Sequence, residues 1–267
     1  MAIKAKLHIK TALRHGITQW GDCYFSPPFK VMNTTENKTE NPLHLMLMSS
    51  SPGVLDGDEY QMRIDVVAHG ALHWHTQSYQ RLFDMQLGAT QTLEVHLQEG
   101  SSFTYLPHPC VPHENSIFTS KNSIYLTKKC SLVWGEIITC GRSLKGEVFT
   151  FSKFQSLTKI YLDHQLILQE NIIMAPLEVV PTTIGQLEGY THQASLLIFK
   201  GSIDCNAFID KAVEYLQEQN GIDYGLSTLQ NNGLVIRILG FKGEQLHDCL
   251  KDLAELKVEV KTSVYVA

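Results

Sequence analysis

The groups able to do chemistry in this chain are imidazoles, thiols and carboxylates, and their spacing limits what that chemistry could be. His73 and His75 lie two apart in a strand-like run, so they share one face, with His69 just before. Two imidazoles on one face can share a transition metal, although a plain polar strand face has the same pattern. His108-Pro109-Cys110-Val111-Pro112-His113 brings together ligand types that suit nickel, zinc or copper, and its prolines stiffen a turn. The competing reading is a Pro-rich loop around a buried thiol. A tight site at His108, Cys110 and His113 would make the chain a metallochaperone in its own right. Glu136 interrupts an apolar run, Leu132-Val133-Trp134-Gly135-Glu136-Ile137-Ile138. A carboxylate there is either exposed on one face or buried with a partner, such as Arg142 or Arg81. Asp58 and Glu136 could serve a β-rich hydrolase if a cleft held them roughly 5–10 Å apart.

Other chemistries lack their residues. The chain has no G-x-x-x-x-G-K-[S/T] phosphate loop, no G-x-S-x-G nucleophile elbow and no H-E-x-x-H helix. Asp56-Gly57-Asp58 starts like a calcium loop, but the later ligands do not follow.

The elements that must carry these groups are mostly strands. Ile3, Ala5, Leu7 and Ile9 alternate with Lys4, Lys6, His8 and Lys10, a period of two whose lysines would discourage edge pairing. Asn33–Pro42 is polar, and reads as a loop and a place for local disorder. Strand-like runs follow at Leu43–Met48, Glu59–Ala68, Leu72–Ser78, Thr92–Leu97, Ser102–Leu106, Ser116–Leu126, Ser131–Thr139, Glu147–Phe154 and Lys159–Ile173. Such a series implies a sandwich, a barrel or a stacked β-coil. After about Gly189 the pattern changes. Ser195–Phe199 reads as a strand. Asp204–Gln219 reads as a helix with Phe208, Ile209, Ala212, Val213 and Leu216 on one face. Leu234–Leu239, Gly243–Leu256 and Val258–Val266 read as strand, helix and strand. This β-α-β-β-α-β succession could form a small α+β layer. The expected organisation is a β-rich part, 1–190, and an α+β segment, 191–267, packed on it as one unit. No internal repeat is visible.

Composition narrows the partners. The net charge is −5 and the signs are mixed along the chain, so no basic run could track nucleic acid or an anionic membrane. No stretch approaches the roughly 20 apolar residues of a membrane span, and the N-terminus lacks the apolar core of a secretory signal. A cytoplasmic chain is expected. Its six cysteines form no C-x-x-C pair and read as reduced, mostly buried thiols.

A series of short motifs then resembles one family in order. Ser51-Pro52-Gly53-Val54-Leu55-Asp56-Gly57-Asp58 resembles a Gly-Gly-x-x-x-Gly-Asp turn in which Pro52 replaces the first Gly. Physically this is a tight connection in which Gly53 and Gly57 permit unusual backbone angles. Phe25-Ser26-Pro27-Pro28-Phe29-Lys30, Thr76-Gln77-Ser78 with Arg81, and Pro107, Pro112 and Asn115 fit in sequence. So do Glu136–Gly141-Arg142, Gly146-Glu147-Val148-Phe149 and Gly189-Tyr190-Thr191-His192. Together they resemble the UreD/UreH urease accessory proteins, most of all the Helicobacter-type UreH, over nearly the whole chain. The His108–His113 cluster is not part of that pattern.

The resemblance implies a mainly β protein, with strands in a helical stack and two C-terminal helices. It implies a non-enzymatic scaffold that binds UreF-like and UreG-like partners and docks on apo-urease, with a possible dimer of the accessory complex. No tightly bound cofactor is implied; nickel is in transit, through a wet tunnel. A bare dication in a low-dielectric interior is prohibitively costly, and a tight Cys/His cage would trap it, so spaced carboxylates suit a conduit. Asp58, Glu136 and Glu170, at family-matching strand positions, are the candidates. Gly53, Gly57, Arg142 and Glu147 are the structural members of the motifs.

Overall fold

A computed structural model describes residues 2–201 and 204–256; the expected strand Val258–Val266 lies outside them. The strands, in chain order, are β1 (Lys4–Arg14), β2 (Ile17–Phe25), β3 (Phe29–Asn33), β4 (Leu43–Ser49), β5 (Glu59–Val66), β6 (Ala71–Thr76), β7 (Gln80–Leu82), β8 (Ala89–Leu97) and β9 (Ser102–Leu106). They continue as β10 (Cys110–Pro112), β11 (Ile117–Leu126), β12 (Ser131–Thr139), β13 (Lys153–Leu162), β14 (Gln165–Met174), β15 (His192–Lys200), β16 (Asp223–Leu229) and β17 (Gly233–Gly240). The helices are α1 (Cys205–Gln217) and α2 (Gly243–Glu255).

From β4 to β13 the chain winds as a coil, laying strands alternately into two facing sheets. One sheet has the order β14-β13-β11-β8-β5-β1-β2, the other β16-β17-β15-β12-β9-β6-β4-β3 with β7 and β10 attached beside β12. The coil strands pair in parallel, so each turn stacks on the previous one: Leu43 on Leu72, Leu72 on Phe103, Phe103 on Leu132. The opposite wall stacks Ile9, Ile64, Val95, Ile124 and Ile160, all fully buried. Each such aliphatic side chain contributes roughly 1.5–3 kcal/mol by leaving water. The turns stack without matching sequences, because only inward parity and size must repeat. The stacked-coil expectation, mainly β with two C-terminal helices, is the observed architecture.

Several boundaries differ from the expected ones. β1 alternates as read, but it lies between β5 and β2, so its lysines sit on an outer face rather than at an edge. Glu147–Phe154 is mostly irregular; β13 starts only at Lys153. Lys159–Ile173 is a hairpin, turning at Asp163 and His164, whose φ values are 46° and 69°. The polar 33–42 stretch is a loop after Asn33, tied down by Asn41: Thr18 N donates to its Oδ1 at 2.8 Å, and its Nδ2 donates to Gly16 O at 2.8 Å.

β15, β16 and β17 extend the same sheet as β12 by antiparallel pairing. Their outer face, with Val133 and Ile137, carries α1 and α2 through Phe208, Ala212, Leu216, Leu246, Leu250 and Leu253. Asp204 caps α1, its carboxylate accepting from Asn206 N and Ala207 N. Ile209 and Val213 are only half-buried.

Candidate functional site: two carboxylates facing a polar interior

Toward the start of the coil strands β5, β8, β11 and β13, and toward the end of β12, the inward rungs change from aliphatic to polar. On one wall Tyr60, Gln91, Ser120 and Ser156 share a rung, and Asn122, Thr158 and Glu170 share the next. On the other wall Glu136, Ser195 and Arg237 share a rung across β12, β15 and β17. Gln91, Ser120, Asn122, Ser156, Thr158 and Ser195 are all buried. A cavity of about 170 Å³ lies between the walls, lined by Glu136, Tyr105, Cys110, Gln193 and Ser195, and by every one of those polar residues except Thr158. It reaches Ser51–Val54 and Thr76–Arg81.

Glu136 projects into this cavity. Its Oε1 accepts from Asn122 Nδ2 at 2.9 Å, Trp134 Nε1 at 3.1 Å and Thr158 Oγ1 at 3.1 Å; Ser156 Oγ donates to the carboxylate at 3.0 Å. Among the described residues no Lys, Arg or His forms an ion pair with it, so the expected pairing with Arg142 or Arg81 does not occur. Arg142 instead pairs with Glu147, its Nε donating to Oε2 at 2.6 Å and its Nη2 to Oε1. Burial, and then the nearby Glu170, push the Glu136 pKa up to about 7, against the pull of hydrogen bonds from Ser156, Trp134 and Thr158.

Glu170, on β14, is held differently. Its Oε2 accepts from Ser195 Oγ at 3.1 Å, and its Oε1 from Arg237 Nη2 at 2.7 Å. Glu170 and Arg237 line a second cavity of about 620 Å³, with Asp223 and Glu188. The two cavities adjoin, since Ile172 and Gln193 line both.

Asp58 is not part of this arrangement. It is fully buried. Its Oδ1 accepts from Ile3 N at 2.8 Å, and its Oδ2 from Leu55 N at 2.9 Å and Tyr60 Oη at 3.0 Å. It locks the turn after the first coil and lines neither cavity. Asp58 therefore shares no cavity with Glu136, as a hydrolase cleft using both would require. The neighbouring Asp56 ties the same turn to the start of β8 by accepting from Gln86, Leu87 and Gly88 N. Gly57 has φ +78°, whereas Gly53 does not adopt a positive φ. Gly53 is needed for a different reason: a Cβ there would lie 2.4 Å from the Arg81 carbonyl oxygen and 2.8 Å from the Phe83 ring.

The candidate metal ligands are dispersed. Cys110 faces the cavity, its thiol pKa raised by burial and by Glu136, which disfavours the ligating thiolate. His108 lines the same cavity, hydrogen-bonded to Thr76 Oγ1 and 4.4 Å from the His247 ring. His113 meets Phe83 edge-on at 4.8 Å. His108 and Cys110 line one cavity but His113 does not, and the three form no ligand set. His73 and His75 share the outer face beside β4, with His73 edge-on to His44 at 4.8 Å and its pKa lowered to about 4, mainly by burial. Among the described residues no group of three or more His, Cys, Asp or Glu is arranged to hold a metal ion. His192 bonds the Thr191 hydroxyl at 2.8 Å.

Sequence reasoning missed Gln91, Ser120, Asn122, Ser156, Thr158, Gln193, Ser195 and Arg237. Ser120 and Asn122 carried a signal, being polar residues at the inward parity of an otherwise apolar strand. Ser156 and Thr158 did not, since the strand holding them was misplaced.

Fold and site together define a stacked β-coil protein that keeps two acids in a polar interior. The family model described as UreD urease accessory protein matches residues 4–263. The chain is 43% identical over 266 residues to the urease accessory protein UreD of Flavobacterium johnsoniae, covering 97% of this chain and 96% of that one. It is 35% identical to UreD of Haemophilus influenzae, with 95% and 98% covered, and 32% identical to UreD of Actinobacillus pleuropneumoniae serotype 5b, with 95% and 97% covered. The chain belongs to the UreD family of urease accessory proteins, and its role lies in urease maturation.

Proposed function

We propose that the chain is a non-catalytic cytoplasmic scaffold and metal conduit, one that acts with UreF-like and UreG-like proteins to deliver nickel to apo-urease. Nickel is cargo here, held in passing. The observation that carries the reading is the pair Glu136 and Glu170, set in adjoining cavities with hydroxyl and amide groups around them. Oxygen ligands at intervals, in a space with room for water, lower the cost of an interior dication without trapping it. Asp58 has no part in this passage; it holds a turn. The β-rich part and the C-terminal part act as one unit, since the passage runs between strands of both. Exposed Leu177, Val180 and Ile184, within two residues of positions lining the second cavity, offer apolar surface for a partner. A dimer of the accessory complex is compatible with this arrangement.

The test combines Glu136→Gln with Glu170→Gln. The double variant should fold, co-purify with its UreF-like partner, and activate urease poorly at limiting nickel, with partial recovery at higher nickel. Normal activation at limiting nickel would end the conduit reading.

A further inference from the structure

The two interior acids are neutralised by different means. Glu136 has hydrogen-bond donors but no cation, so a proton is what relieves its charge. Glu170 has a cation, and the pair is lopsided: its side chain is 8% exposed, whereas that of Arg237 is 59% exposed. A single hydrogen bond, Arg237 Nη2 to Glu170 Oε1, links them. The other end of the carboxylate is fixed by Ser195 Oγ, which also lines the first cavity, so Glu170 stands where the two cavities adjoin. Register places Glu136, Ser195 and Arg237 on one rung of neighbouring strands, and Arg237 reaches Glu170 from that rung across the gap between the sheets.

We propose that Arg237 is a displaceable gate, a resident cation that occupies the Glu170 carboxylate until a dication replaces it. The inference rests on the conduit reading of Glu170. Three properties of the pair support it. Among the described residues Arg237 is the cation that pairs with the buried Glu170, and so supplies its countercharge. Arginine cannot release the acid by losing a proton, so release requires exchange with another cation. The guanidinium is largely solvated, so swinging out costs it little packing and leaves it hydrated. A dication offers the acid twice the charge of Arg237, whereas a hydrated monovalent ion offers no more charge than Arg237 and no hydrogen bond from a fixed donor. The gate therefore selects for dications and stays shut to sodium and potassium.

The experiment is a Ni²⁺ titration of the full chain by calorimetry, with wild type, Arg237→Gln, Arg237→Lys, Glu170→Gln and the double variant Arg237→Gln/Glu170→Gln. Removing a competitor that holds the acid by one charge-assisted hydrogen bond should tighten Ni²⁺ binding about tenfold in Arg237→Gln. Arg237→Lys should fall between that variant and wild type. Glu170→Gln should weaken binding, and the double variant should bind no better than Glu170→Gln. A purely structural pair would alter unfolding midpoints and leave Ni²⁺ affinity alone. Unchanged affinity in Arg237→Gln, with weakened binding in Glu170→Gln, overturns the gate and leaves the passage standing. Unchanged affinity in Glu170→Gln removes Glu170 from the passage and the gate with it. If Arg237→Gln does not fold, Arg237→Lys decides: tighter binding supports the gate and wild-type affinity overturns it.

Discussion

Replacing Glu136 with Gln removes the charge of the group while keeping its shape. All four donors reach Oε1, and Ser156 alone reaches both oxygens. A Gln amide oxygen can take the place of Oε1, and its NH₂ can donate to a rotated Ser156 hydroxyl. No cation is stranded, so the variant should fold. The energetic effect follows from the carboxyl itself, whose pKa rises from 4.5 to about 7 on folding. Between those values the native state keeps a proton that the unfolded chain has released. Native stability therefore falls as pH rises through this window: the contribution is fully present below the unfolded pKa and lost above the folded one. At about 1.4 kcal/mol per pKa unit the total is roughly 3 kcal/mol. Urea unfolding of wild type and Glu136→Gln between about pH 5 and 8 should thus show the variant gaining on wild type as pH rises, by up to about that amount. A pH-independent difference, or a wild type that gains on the variant with rising pH, would refute the burial argument. The same titration bears on function, because a proton competes with metal for Glu136. Urease activation at limiting nickel should improve as pH rises through about 7 in wild type and stay flat in the variant.

Other expectations follow from the same geometry. Gly57→Val should destabilise by about 1–3 kcal/mol through its left-handed backbone, and Gly53→Val by at least as much through contact with the Arg81 carbonyl; unfolding midpoints equal to wild type would refute either. His108→Ala, Cys110→Ser and His113→Ala should leave Ni²⁺ affinity unchanged, since the three side chains form no ligand set; loss of a tight site in any of them, seen by calorimetry, would restore a local metal centre. Leu177→Lys with Ile184→Lys should raise the solubility of the isolated chain and weaken capture of its UreF-like partner. Unaltered light scattering and unaltered pull-down would remove that surface from the docking reading.

Much of this molecule was legible in its residues. The alternation in β1, the helical stripes of α1 and α2 and the ordered turn motifs are local properties, carried by neighbours in sequence. Edge strands were harder to see: β2 and β16 have one neighbour each and expose much of both faces, so their apolar alternation is weak. The strand boundaries around 147–173 were blurred because a hairpin of two strands reads as one long apolar stretch.

The functional site was mostly a decision of the tertiary structure. Asp58, Glu136 and Glu170 are all acids in strand contexts, and sequence treats them alike. Folding makes the first a turn lock bonded to Ile3, the second an uncompensated acid in a cavity, and the third a buried partner of an exposed arginine. Each outcome depends on groups far along the chain: the partners of Glu136 lie up to 22 residues away, and those of Glu170 lie 25 and 67 away. Parity within a strand says which residues share a face. Which face becomes the interior, and which charges meet there, is set only when the turns of the coil stack.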